Sequence, residues 1–170
     1  MRRSLIIGIG NPLRGDDGLG WHVIERLRGT AAVARADLLA CHQLTPELAG
    51  PMARSDRVIF IDAAEGEPAG EIRLERIRGD KPEPSAFSHH LDPAAVAEYA
   101  RALYGASPEV AILSVKGAAY GFSEDLSGPV LRAVPEVLRL VQGLLAADPQ
   151  PPPTDMEGTW LPALNPSSPF

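Results

Sequence analysis

Between Met1 and Gly20 an apolar run, Leu5-Ile6-Ile7, passes through Gly8 and Gly10 into Asn11-Pro12-Leu13-Arg14-Gly15-Asp16-Asp17-Gly18. A short β-branched run closed by glycines predicts a buried central strand rather than a helix. In an open α/β sheet, ligands bind beyond the carboxyl ends of the strands. Asp16 and Asp17 therefore stand where such a fold does its chemistry. Adjacent carboxylates repel, so backbone donors, a cation or a shared proton must stabilise them.

Two other uses of this stretch compete. Gly8-x-Gly10 opens like the dinucleotide fingerprint, but Leu13 holds the place of its third glycine. Two carboxylates at the start of a helix would also occupy the position of a pyrophosphate. Helix capping ahead of Gly18-Leu19-Gly20-Trp21 accounts for one of the two acids and leaves the other spare.

With 170 residues, 45% of them hydrophobic, the chain is long enough for one good core and short for two domains. Its net charge of -6 argues against nucleic acid or an anionic membrane as partner. No apolar run has the length of a bilayer span, and Gly8, Asn11 and Pro12 interrupt what would be a signal sequence, so a cytoplasmic location is expected. Cys41 is the single cysteine, which excludes an internal disulfide and a cysteine metal cluster. Its neighbour His42 points to the opposite face in a strand, so Cys41 is read as structural.

Along the chain, Leu19, Val23, Ile24 and Leu27 form a helical stripe ending at Arg28-Gly29. His22 lies beside it and is read as structural. A second strand is expected over Ala32 to Ala40, and a short helix from Thr45-Pro46-Glu47 through Met52. Arg57-Val58-Ile59-Phe60-Ile61-Asp62 is apolar on both faces and ends on a carboxylate, which would place Asp62 and Asp17 at the same edge of one parallel sheet. Glu71 to Ile77 has the character of an edge strand. After a proline-containing loop, Ser88-His89-His90-Leu91 precedes a helix opened by Asp92-Pro93, where histidines can reach over a sheet edge. Val110 to Val115 is a further strand, and Ala118 to Leu126 a glycine-containing loop. Pro129 to Ala147 is a long helix that Pro135 should kink or divide. The fold expected is α/β, a three-layer sandwich with a twisted, mostly parallel sheet of about five strands and helices on both faces. Residues 1–147 make its single domain, and 148–170 a proline-rich extended tail on which Trp160 and Leu161 are the residues able to dock.

In motif order and spacing, Gly8-Ile9-Gly10-Asn11-Pro12, Gly15-Asp16-Asp17-Gly18-Leu19-Gly20, Val58-Ile59-Phe60-Ile61-Asp62-Ala63 and Ser88-His89-His90-Leu91 resemble the hydrogenase maturation endopeptidases, from Leu5 to Leu145. That family trims a C-terminal extension from the large subunit of nickel-iron hydrogenases once nickel is in place. The resemblance implies that Asp17, Asp62 and His89 are the catalytic and metal-contacting residues, with His90 as the register alternative. It implies nickel presented by the substrate, with zinc or cadmium able to substitute in the isolated protein. The partner implied is a nickel-loaded large-subunit precursor, met by a monomeric protease. Where the family often has Gly-Gly-Thr, this chain has Cys41-His42-Gln43-Leu44-Thr45.

Two carboxylates and one imidazole leave open positions on a divalent ion, whereas a structural site closes with four protein ligands. An open site serves hydrolysis through a polarised carbonyl and an activated water, or recognition of an ion that arrives with the substrate. The sequence leaves both open. The alternatives are a non-catalytic Rossmann-like module binding nucleotide or metal, and a zinc-dependent hydrolase of small molecules.

Overall fold

The amino-terminal apolar run is the strand β1 (Ser4–Ile9), and every one of its residues from Leu5 onward is buried. The computed structural model describes residues 3–77 and 91–147 and the backbone of residues 160–161. Within these, β2 (Ala36–Cys41), β3 (Arg57–Ala64), β4 (Ile72–Ile77), β5 (Glu109–Lys116) and β6 (Trp160–Leu161) join β1 in one sheet. Their order is β2-β1-β3-β5-β4-β6. The first four are parallel; β4 runs antiparallel to β5, and β6 antiparallel to β4.

Side chains alternate between two cores because successive strand residues face opposite ways. Ile6, Ile59 and Ile61 meet α1 (Leu19–Leu27) and α4 (Gly128–Ala146) on one face. Leu5, Ile7, Val58 and Phe60 meet α2 (Ala49–Ala53) and α3 (Pro93–Tyr104) on the other. The expected three-layer α/β sandwich is therefore the observed architecture, and the stripe Leu19, Val23, Ile24 and Leu27 is fully buried.

Local departures have local causes. Ala31–Val33 is a 3-10 turn that drives Val33 into the core, and β2 begins only at Ala36. The turn supplied the apolar signal that resembled the start of a strand. Pro46–Leu48 is likewise a 3-10 turn leading into α2. Pro135 does not divide α4, which runs continuously from Gly128 to Ala146. Pro135 is exposed, and so is Leu131, whose carbonyl lacks its usual helical donor because proline has no N–H. In the tail, the backbone of Trp160 and Leu161 pairs with Arg73 and Ile72, so β4 is flanked at that end. The proline loop and the His89-His90 pair lie outside the described residues.

Opposite the carboxyl edge, Arg57 is 5% exposed and joins three elements. Its guanidinium donates to Glu109 Oε2 at 2.8 and 2.9 Å, to the Leu144 carbonyl, and to the Ala147 carbonyl at 3.2 Å. It thus ties the starts of β3 and β5 to the last turn of α4, where a cation complements the helix dipole.

Candidate active site

The chain leaves β1 for β2 on one side and then returns to build β3 on the other. That reversal opens a crevice between the carboxyl ends of β1 and β3, the switch point at which open α/β sheets bind ligands. Asp17 comes from the loop after β1, and Asp62 lies near the end of β3, one residue beyond the Gly8–Ile61 register pair. The structure therefore brings the two predicted carboxylates to one crevice.

Asp16 and Asp17 divide the work. Asp16 is fully buried; its Oδ2 accepts from the backbone N–H groups of Ala118 and Ala119 at 2.7 and 2.8 Å, and its Oδ1 from that of Ser127 at 2.7 Å. Three donors satisfy one buried charge. Asp16 thereby fastens the first motif to the loop after β5 and to the residue preceding α4. Asp17 is half-buried, and its Oδ2 accepts one bond, from Asn11 N–H at 2.9 Å. The glycines serve this packing: Gly10 has φ +125°, and a Cβ there would collide with the Asp17 carbonyl. Gly8 and Gly20 let α1 lie directly on β1, since a Cβ on Gly20 would stand 2.5 Å from Ile9 N.

Burial pushes the carboxyl of Asp62 up to about 6, opposed in part by a backbone hydrogen bond at Ala63 and assisted by the negative charge of Asp17. The two carboxylates thus sense each other. A carboxyl with such a pKa holds or takes a proton near neutral pH. Cys41, at the end of β2, has its thiol raised by burial and then by the charge of Asp62, which disfavours the thiolate a nucleophile needs. His42 turns away and meets the edge of Trp21, ring centroids 5.5 Å apart. His22 is occupied by the Glu124 carbonyl at 3.0 Å.

Sequence reasoning missed Tyr120. Its hydroxyl donates to the Ala64 carbonyl at 2.7 Å, and burial raises its pKa first, with the charges of Asp16, Glu65 and Asp17 adding to that. It forms part of the crevice wall, but a tyrosine in a glycine-containing loop carries no periodic signal. The predicted third ligand, His89, and its alternative His90 lie outside the described residues. The following residues are informative: Leu91 packs against the core of the α2–α3 face, and α3 leads through a short loop to Glu109 at the amino edge. The helix therefore starts toward the carboxyl edge, the edge that carries Asp17 and Asp62.

Among the described residues, no three His, Cys, Asp or Glu side chains form a metal shell. Asp17 and Asp62 fit as the hard oxygen donors of part of a divalent shell, with positions left for a partner to fill. A phosphate fits less well, because the Asp17 carboxylate already holds the Asn11 N–H at the strand end where a dinucleotide would sit.

No protein-family model matches the sequence, and no curated protein matches it. Solved structures do. A [NiFe] hydrogenase maturation protease, HycI, from Thermococcus kodakarensis KOD1 superposes with a TM-score of 0.69 at 26% identity, covering 86% of this chain and 94% of its own. The hydrogenase maturating endopeptidase HybD from E. coli gives 0.68 at 24% identity, with 84% and 91% covered. A hydrogenase 2 maturation peptidase from a Thaumarchaeota archaeon gives 0.66 at 23%, with 85% and 99% covered. In fold and in motif order together, the chain is similar to the hydrogenase maturation proteases.

Proposed function

We propose that this protein is an endopeptidase that removes the C-terminal extension of a nickel-iron hydrogenase large-subunit precursor after nickel insertion. The observation that carries the reading is the carboxylate pair: Asp17 and Asp62 share one crevice at the switch point, and burial with mutual repulsion holds the Asp62 proton up to about pH 6. A cation delivered into the crevice relieves both costs at once, so ionisation of the pair is coupled to arrival of the ion. In this reading nickel comes with the substrate. Asp17, Asp62 and His89 supply donors to its open positions and fix the neighbouring peptide for attack by water. Asp16, with its three backbone bonds, holds the loop that presents Asp17. The cytoplasm is the compartment in which such a precursor is met, and a monomer suffices for the crevice.

The test compares nickel-loaded with nickel-free precursor in excess protease, read by intact mass. Loaded precursor is expected to lose its extension, and nickel-free precursor to stay uncut. Equal cleavage of the two overturns the inspection of nickel. Cleavage only after loading the protease with zinc makes it a conventional metalloprotease. Asp62→Asn keeps the shape and removes the charge, and processing is expected to fall at least about a hundredfold, in keeping with loss of an acid–base or electrostatic group.

A further inference from the structure

Phe122 is 90% exposed and Leu13 42%. Arg14 and Ser123 form an isolated parallel bridge, which brings the backbone of the Leu13 turn against that of the Phe122–Ser123 segment. The bridge is tightly made: Gly15 N–H donates to the Ser123 carbonyl at 2.7 Å, and Ser123 N–H to the Leu13 carbonyl at 3.0 Å. Asn11 Oδ1 accepts from Leu13 N–H at 2.9 Å, and Ser123 Oγ from Asp125 N–H at 3.0 Å. The buried Asp16 carboxylate anchors both loops from beneath. An isolated exposed apolar residue is ordinary. A phenylalanine kept in water on a fixed platform, with an apolar neighbour, is a preorganised anchor: the cost of ordering it is met in folding rather than on binding.

Both residues are also close in the chain to residues of the crevice. Arg14 is three residues from Asp17, and Phe122 is two from Tyr120, whose hydroxyl bonds Ala64 just past Asp62. We propose that Leu13 and Phe122 form an apolar docking knob that seats in a recess on the folded body of the large-subunit precursor, outside the peptide that is cut. This rests on the endopeptidase reading. The surroundings favour a folded protein over a charged polymer or membrane: Arg14, Glu124 and Asp125, all exposed, carry both signs and make no single-sign field. Continuity with the crevice assigns that protein as the substrate, because a body seated on the knob lies against the same edge into which its own C-terminus must enter.

The test uses the full-length protein and each large-subunit precursor of its source organism, nickel-loaded. Phe122→Ala is expected to raise KM at least about tenfold, the effect of truncating an aromatic anchor, with kcat unchanged and an unchanged melting temperature. Leu13→Ser is expected to act in the same direction, and Phe122→Leu to restore most of the loss. Wild-type cleavage with KM unmoved by Phe122→Ala overturns the docking knob alone. A fall in kcat without a change in KM also overturns it, by placing Phe122 among the reacting groups. Failure of the wild-type protein to cut any precursor overturns the endopeptidase reading and the knob with it. Wild-type self-association that Phe122→Ala abolishes assigns the knob to a second copy and overturns the proposal.

Discussion

Asp16 and Asp17 are covalent neighbours whose carboxylates answer to different partners, Asp16 to three backbone amides far along the chain and Asp17 to that of nearby Asn11. Replacing Asp16 by Asn sets an amide N–H₂ against some of the three backbone donors that now converge there. The expected loss is about 3 kcal/mol in urea unfolding, against less than about 1 kcal/mol for Asp17→Asn. Asp62 behaves in the opposite sense. Its folded pKa, about 6, lies above the ordinary 3.8, so between those values the folded state binds the extra proton. Its contribution to stability is therefore fully present below about pH 4 and is lost as pH rises through 6, with a cost of about 3 kcal/mol for the ionised form. In metal-free protein, Asp62→Asn is expected to raise stability at pH 7 by up to that amount and to flatten the decline between pH 4 and 6; denaturation across pH checks it. The sequence displayed both acids of the crevice because Asp17 lies in the loop that follows one strongly apolar strand and Asp62 near the end of another. It did not display which of Asp16 and Asp17 was structural, since the deciding amides at Ala118, Ala119 and Ser127 lie about a hundred residues away.

Elements were legible where periodicity is strong and long. β1, β3 and α1 follow from apolar pattern alone, while Val33 and Pro135 misled for one reason: short-range signals do not reveal whether a residue packs inward or faces water. β4 is a case in which tertiary pairing adds to pattern. Its alternation marked an edge, yet its Ile72 and Arg73 backbones pair with Leu161 and Trp160. Removing residues 148–170 takes away those two pairings and is expected to cost less than about 2 kcal/mol, the scale of one large buried side chain. The same deletion bares the outer side of β4, so concentration-dependent self-association is expected in sedimentation, as for other uncovered sheet edges.

Across the whole molecule, the carboxyl edge carries the crevice, and the amino edge carries the Arg57 network. The location of the crevice could be read from strand ends, because parallel strands deliver their last residues to one edge regardless of the details of packing. α4 spans the distance between the two edges. At its start, the Ser127 N–H is held by the carboxylate of Asp16; at its end, the carbonyls of Leu144 and Ala147 are held by the guanidinium of Arg57. A beam clamped at both ends leaves little slack in the loop at its head. A loop held in this way has less conformational freedom for a ligand to select from. On the proposed function, discrimination at Asp17 would then be that of a fixed gauge: a precursor is expected to meet the carboxylates at the offered spacing or to leave them with water.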